Sequence, residues 1–189
     1  MTSSDPRAAA FETRRAALTA RLVELALADG FSRFGLRDLG AALGTSDRML
    51  LYYFKTKSEL VLCVLRQVSA RLVAALAGTD DPLAPGPFAL QALAQLSDPA
   101  IAPLVRVWVE VVARGARGEE PYRGAADAAI GQWLAWIGGR LAMPDGPRKS
   151  ALAAALLAYF EGAVLLELAR PGATAGAAEL MGELMAAAD

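Results

Sequence analysis

Residues Leu39–Leu60 read LGAALGTSDRMLLYYFKTKSEL, and this stretch decides the fold. The apolar spacing before it predicts a short helix from Leu36 to Leu43, which Gly44 ends because glycine tolerates the left-handed conformation of a tight turn. Ser46 is a good N-cap for a second short helix that runs to about Tyr53. A helix of about twenty residues precedes the pair. This is the pattern of a helix-turn-helix, whose second helix lies in the major groove of DNA.

The rest of the chain also has helical spacing. Thr56-Lys57-Ser58-Glu59 predicts a capping box at the start of a long amphipathic helix, and GTDDPLAPGP (78–87) predicts a loop. Residues 105–111 alternate between valine and larger or charged side chains, which also fits a strand; we choose helix because no second strand candidate exists to pair with it. Asp98-Pro99 predicts the start of that helix. We therefore expect an all-α protein with about nine helices.

The composition limits the chemistry. In 189 residues, 55% are apolar, which suffices for a packed core, and the chain has one cysteine and no histidine. No disulfide framework, zinc site of the Cys/His type or His-dependent nucleophile fits that inventory, so we expect no enzyme, no metal and no cofactor. Cys63 lies among aliphatic residues, which favours a buried, unreactive thiol.

Charge and hydropathy bear on partners and location. The net charge is −1, yet residues 1–60 hold nine basic and seven acidic residues, a local net of +2, so nucleic-acid affinity would need a local patch. The first fifteen residues have no apolar core typical of a secretory signal, and we expect a cytoplasmic protein. Ala151–Phe160 is the longest uncharged apolar stretch and is followed by Glu161 and Glu167, so we expect no transmembrane helix.

Leu39–Leu60 resembles the N-terminal DNA-binding domain of the TetR family of transcriptional regulators, whose pattern is I-A-x-x-A-G-V-S-x-x-x-L-Y-x-H-F-x-x-K-x-x-L. The spacing from Gly44 to Lys57 is kept without a gap. The matching positions are Leu39, Leu43, Gly44, Thr45, Ser46, Leu50, Phe54, Lys57 and Leu60, with Tyr53 where histidine is common. The resemblance implies a helix-turn-helix DNA-binding domain over residues 1–56 and a helical ligand-binding and dimerisation domain over residues 57–189.

The apolar residues of this motif are expected to form a small three-helix core, and the remaining polar residues are the candidates for DNA contact. Ser46, Asp47, Arg48 and Met49 open the presumed reading helix, where side chains meet base edges, and arginine is the natural partner of guanine. Phosphates are the expected partners of Tyr52, Tyr53 and Lys57, with added positive charge from Arg33, Arg37 and Lys55. The chain departs from the family pattern at Leu51, where a phosphate-binding tyrosine is common, and at Gly35, where a threonine often caps the second helix.

The C-terminal two-thirds has no recognisable motif of its own. Ala151–Leu168 is apolar nearly all round, so one buried face does not account for it, and we assign the second face to a partner subunit in a homodimer. The last helix, with Leu180 and Leu184, would complete that interface; burial within one monomeric core is the alternative. The predicted ligand-binding residues are Trp108, Trp133, Trp136, Tyr159 and Glu161, with Phe88 and Phe160 as further aromatic candidates and Glu110 and Arg114 as further polar anchors.

These observations favour a dimeric DNA-binding regulator, typically a repressor, that a small and largely hydrophobic effector releases from its double-stranded operator. The alternative is a helical protein–protein adaptor with a degenerate helix-turn-helix, for which Leu51, Gly35 and the small charge bias are the arguments.

Overall fold

The computed structural model describes residues 5–31, 35–76 and 81–186, and within these ranges α-helices joined by turns and loops make up the chain. The only β-type pairing there is one isolated bridge between Leu83 and Leu141. Arg33, one of the predicted basic residues, lies outside the described residues. The helices are α1 (Pro6–Asp29), α2 (Leu36–Leu43), α3 (Asp47–Phe54), α4 (Lys57–Leu76), α5 (Pro85–Leu96), α6 (Ala102–Ala116), α7 (Tyr122–Arg140), α8 (Pro147–Ala169) and α9 (Ala177–Ala186). The predicted all-α architecture is confirmed.

The helix-turn-helix forms where the sequence predicts it. Gly44 ends α2 in the left-handed conformation, with φ 64° and ψ 36°, and the Ser46 side chain accepts a hydrogen bond from the Met49 amide at 3.2 Å. Leu50 and Phe54 are fully buried on the inner side of α3. The two short helices are therefore held by their own caps and by a shared apolar core.

A close approach between α2 and the turn, which sequence analysis missed, occurs at Gly40. A Cβ atom at this position would lie 3.0 Å from the carbonyl oxygen of Thr45 and 3.2 Å from the Asp47 amide nitrogen. A side chain is thus disfavoured where α2 crosses the start of α3, and glycine lets the two backbones touch.

Arg15 fastens α1 to α4 at the base of this domain. Its guanidinium donates to the Glu59 carboxylate at 2.7 Å and lies 5.7 Å from the centre of the Phe54 ring. Thr56 accepts from the Glu59 amide at 3.0 Å, as the capping box predicts, but the Glu59 side chain turns to Arg15 instead of back to the helix start. Cys63 is half-buried rather than buried, because α4 places it against the same arginine at 3.4 Å.

The helices of the C-terminal part depart from the sequence prediction mainly at their starts. The valine-rich segment is helical, with Val105, Val107 and Val111 all buried in α6. That helix begins at Ala102 rather than at Asp98, whose carboxylate caps the Ala100 amide in the preceding turn at 2.8 Å. Residues 78–80 of the predicted loop lie outside the described residues, and its last three residues are helical, since α5 begins at Pro85 and uses the proline in its first turn.

Helix α8 keeps a largely uncovered apolar side. By length and composition it is the one helix of the described residues that could cross a membrane, and only 22% of its most apolar window is buried. No transmembrane helix is expected from the sequence, because Glu161 and Glu167 interrupt the apolar stretch; both glutamates lie within α8, which continues to Ala169. Leu165 and Leu166 on α8, and Leu180 and Leu184 on α9, are more than half exposed.

The end of α1 is clasped by α6 and α7. Glu110 accepts a hydrogen bond from the Phe31 amide at 2.8 Å, and Arg114 donates to the Phe31 carbonyl at 3.4 Å and to the Tyr122 hydroxyl at 2.9 Å. Gly30 turns the chain into this clasp with φ 67°. Glu110 and Arg114, predicted as ligand anchors, are thus used to join the two halves of the molecule. One hydrophobic core also runs continuously from α1 to α7, and the boundary at residue 56 stays a prediction.

The clasp predicts an unequal effect of two glycine substitutions. Gly30→Ala should lower the free energy of unfolding by about 2–3 kcal/mol, since its Cβ would meet Glu110 Oε2 at 2.6 Å in addition to the left-handed strain. Gly118→Ala, with φ 76° and no atom within 4 Å, should lose only about 1 kcal/mol. Urea unfolding of both variants measures the difference, and equal losses would show that the Glu110 carboxylate is not held firmly against Gly30.

Candidate nucleic-acid interface and effector cavity

Helix α3 presents its outer side to solvent. Asp47 and Arg48 are exposed, as are Met49 (41%) and Tyr52 (61%), whereas the opposite side of the helix is buried through Leu50 and Phe54. A helix of eight residues held by two fully buried anchors offers a firm outer surface. This is the geometry that insertion into a major groove requires.

Some polar side chains in the first turn of α3 form hydrogen bonds within the protein. Ser46 Oγ caps the Met49 amide, and Asp47 Oδ1 accepts from the Arg48 amide at 2.8 Å. The Arg48 guanidinium has no ion-pair partner among the described residues and is exposed. Of the four predicted base-contacting residues, Arg48 is therefore the one whose hydrogen-bonding capacity is wholly available.

The two tyrosines differ in their surroundings. Tyr53 is half-buried, with its ring centre 5.0 Å from that of Phe11 in α1, while Tyr52 stacks edge-on to Tyr53 at 5.1 Å and keeps its outer part exposed. Phe11, which sequence analysis missed, supports both rings; the amphipathic spacing of Phe11 with Leu18 was the available signal. Tyr52 is better placed than Tyr53 to reach a phosphate.

Basic residues surround the reading helix at helix ends. Arg37 lies in the first turn of α2 and Lys57 in the first turn of α4, both exposed. Lys55 ends α3 with φ 61°, an unfavourable conformation for a residue with a side chain. Gly35 gives α2 no side-chain cap, as its departure from the family pattern predicts. The N-terminal amides of α2 and α4 and these cations form a surface suited to phosphate contacts.

A small cavity lies within the C-terminal part, between α4, α5, α6, α7 and α8. Its volume is about 40 Å³. Four of the five predicted ligand-binding residues line it, namely Trp108, Trp133, Trp136 and Glu161. Tyr159 lies elsewhere, because its hydroxyl donates to the Ala177 carbonyl at 3.0 Å toward α9. The other lining residues are Leu72, Leu76, Ala92, Leu96, Val105, Ile137, Leu157, Phe160 and Val164.

Sequence analysis missed the contribution of α4 to this cavity. Leu72 and Leu76 continue the apolar stripe of α4 beyond the helix-turn-helix core, but a stripe gives no indication of which neighbour it meets. Phe160 lines the cavity. Phe88 does not line it and packs against Trp136, with their ring centres 5.9 Å apart.

Glu161 is the single charged residue of the cavity wall. The indole N–H of Trp108 donates to its Oε1. Burial raises the pKa of the Glu161 carboxyl above its usual value, and the Trp108 hydrogen bond offsets this only in part. The cavity is thus apolar with one carboxyl at its edge.

The raised pKa of Glu161 predicts a pH-dependent stability difference. Between the usual and the raised pKa the native protein binds more protons than the unfolded chain, so wild type loses stability as the pH rises through the raised value. The free energy of unfolding of Glu161→Gln relative to wild type should therefore increase from about pH 4 to about pH 8. Urea unfolding at both pH values tests this, with exposed Glu120→Gln as control; a difference that does not change with pH would contradict the assignment.

Comparison with known proteins agrees with this geometry. Residues 18–64 match the family model for bacterial regulatory proteins of the tetR family. These residues run from the buried part of α1 through α2 and α3 into α4, which is the complete helix-turn-helix with its supporting core. No curated protein shows a significant match.

Solved structures share the fold over the whole chain. A protein assigned as a TetR-family transcriptional regulator from Rhodococcus sp. has a TM-score of 0.70 at 17% identity, covering 92% of this chain and 97% of its own. GusR from Salmonella enterica has a TM-score of 0.69 at 15% identity, covering 92% and 93%. A transcriptional regulator from Saccharomonospora viridis, crystallised in complex with choline, has a TM-score of 0.62 at 17% identity, covering 93% and 94%. Residues 18–64 of this chain therefore match the tetR family of bacterial regulatory proteins, and about nine-tenths of the chain shares the fold of a solved TetR-family transcriptional regulator.

Proposed function

We propose that this DNA-binding regulator acts as a dimeric, sequence-specific repressor, which a small and largely hydrophobic effector releases from its operator. The observation that carries the proposal is the shared use of α4 and α6. Both helices line the cavity, and both contact the DNA-binding helices, α4 through α1 and α3 and α6 through the clasp on α1.

The DNA-binding part of the proposal rests on the outer surface of α3. Arg48 is free to bind a guanine edge, while Ser46, Asp47 and Met49 share its turn and supply acceptor and apolar contacts. Arg37, Tyr52 and Lys57 would fix the register on phosphates. Tyr53 is expected to act chiefly by supporting Tyr52.

Effector coupling would run through the clasp. A cavity of about 40 Å³ must widen to hold an organic molecule, and its walls include Leu72 and Leu76 of α4 and Val105 of α6. Displacing these helices changes the position of Glu110 and Arg114 against Phe31, and with it the tilt of α1. In a dimer, such a tilt alters the distance between reading helices, which must match half-sites about 34–36 Å apart.

The dimer is proposed on the uncovered side of α8 and on α9. Alanine and glycine at 151, 155, 158 and 162 are exposed along one side of α8, which lets a second helix approach closely, and Leu165 and Leu166 extend that side. Leu180 and Leu184 of α9 are exposed as well. Contact with a second copy would cover these residues.

An adaptor role is the second candidate, and one observation favours it. Met49, Leu51 and Tyr52 are all exposed on α3, giving the reading helix an apolar outer surface that a protein partner could also cover. Thymine methyl groups offer a similar apolar contact in DNA, so the apolar residues of α3 do not distinguish a DNA-binding regulator from an adaptor. Substitution of the charged residues does distinguish them, because only DNA binding requires their positive charge.

Arg48→Ala should weaken binding to a DNA fragment selected by the wild-type protein by about 1–3 kcal/mol and relax the preference over random DNA. Lys57→Ala should weaken binding to both DNAs about equally and reduce the slope of log affinity against log salt by about 1. Fluorescence anisotropy at several salt concentrations gives both quantities. Arg123→Ala, an exposed arginine on α7, removes the same charge as a control.

Failure of wild type to select any fragment from random DNA would reject sequence-specific regulation. Retention of full DNA affinity in Arg48→Ala and Lys57→Ala would contradict the contacts assigned to these residues, whereas an adaptor would keep its protein partner in both variants.

Leu166→Glu and Leu184→Glu should each convert the dimer to a monomer at micromolar concentration, because a carboxylate would be buried without a partner. Operator affinity should fall in parallel, since two half-sites would no longer be bound together. Sedimentation velocity measures the oligomeric state. Ile130→Glu, an exposed apolar residue of α7, is the control, and a wild type that sediments as a monomer would reject the proposed interface.

A further inference from the structure

The cavity wall combines one charge with an otherwise apolar surface. Twelve of its thirteen residues are aliphatic or aromatic, and the exception is Glu161. A purely hydrophobic effector would give this carboxyl nothing to bind. The wall therefore contains a chemical feature that hydrophobic binding leaves unused.

The Glu161 carboxyl has no basic partner. No lysine or arginine of the described chain lies within ion-pair distance of it, although α6 and α8 carry arginines elsewhere. Its one hydrogen bond comes from the neutral indole N–H of Trp108, which also holds the side chain at the cavity edge. A carboxylate removed from water without a counter-charge is costly, and a bound cation would supply the missing charge.

Aromatic rings surround the same space. Trp133 and Trp136 lie with their ring centres 5.6 Å apart and their planes at 89°, so two indole rings meet at a corner of the cavity. Phe160 and Trp108 add further aromatic walls. The faces of aromatic rings attract cations, tryptophan most strongly, and rings at right angles to one another are the arrangement that holds an alkylammonium group.

We propose that the effector of this cavity is a small organic cation, an alkylated amine or quaternary ammonium compound, whose positive group binds between the tryptophan rings and opposite Glu161. This proposal rests on the proposed function, because it assumes that the effector binds in this same cavity. It narrows the chemistry from any hydrophobic molecule to one with a single positive charge and an apolar remainder. The competing possibility is a neutral ligand that accepts a hydrogen bond from protonated Glu161.

The experiment compares two probes that differ only in charge. The (3-hydroxypropyl)trimethylammonium cation and 4,4-dimethylpentan-1-ol have the same shape, with nitrogen replaced by carbon, and the shared hydroxyl keeps both soluble. All three tryptophans of the chain line the cavity, so intrinsic fluorescence reports its occupancy directly. We expect the cation to bind wild type about tenfold more tightly than the alcohol.

Glu161→Gln keeps the shape of the side chain and still accepts from Trp108. It should lower the affinity for the cation about tenfold and leave that for the alcohol unchanged. Glu120→Gln, which removes a carboxylate from the exposed surface, should alter neither. The charge preference of wild type is informative by itself, so the test does not depend on the variant folding.

Equal or tighter binding of the alcohol would overturn the cation assignment and leave the proposed hydrophobic effector standing. A preference for the cation that is undiminished in Glu161→Gln would also overturn it, because Glu161 would then take no part in recognising the charge. Fluorescence unchanged by either probe would reject the cation site, whereas the DNA titrations above decide the proposed regulator independently.

Discussion

The contact on which the rest of the structure depends is the clasp at the end of α1. Gly30 and Phe31 leave the DNA-binding helices and are held by Glu110, Arg114 and Tyr122 through backbone hydrogen bonds and a ring contact at 5.4 Å. Arg114 also lies 4.4 Å from the centre of the Tyr122 ring and pairs with Glu119 at 2.9 Å, so its guanidinium is fixed from several sides. In the proposed mechanism, this joint would carry a displacement of α6 to the end of α1.

Helix α4 is the second element common to both halves. Its first turn closes the helix-turn-helix core through Leu60, and its last two turns form part of the cavity through Leu72 and Leu76. Between these points, the buried residues of α4 belong to one continuous hydrophobic core. Helix α4 thus connects the cavity to the helix-turn-helix through packed side chains, and this is the path that the proposed effector would use.

Local sequence patterns predicted the features that arise within one or two helical turns. Gly44, the Ser46 cap and the Thr56 cap are examples, because each depends on residues three or four positions apart. The features that were missed depend on contacts between distant segments. Gly40 is needed because two backbones cross, Glu59 leaves its capping box because Arg15 lies opposite, and Glu110 reaches Phe31 across 79 positions. The tryptophans were predicted as a group from composition, but only the fold separates them from Tyr159, whose hydroxyl is satisfied by α9.

Lys55 shows that the DNA-binding surface was not arranged for stability alone. Its backbone has φ 61° at the junction of α3 and α4, where a glycine would relieve about 1 kcal/mol of conformational cost. A lysine there retains a cation beside the reading helix instead. Selection of this chain for heat resistance would accordingly favour Lys55→Gly and remove a cation from the surface proposed to bind phosphates, a conflict between durability and recognition located in a single residue.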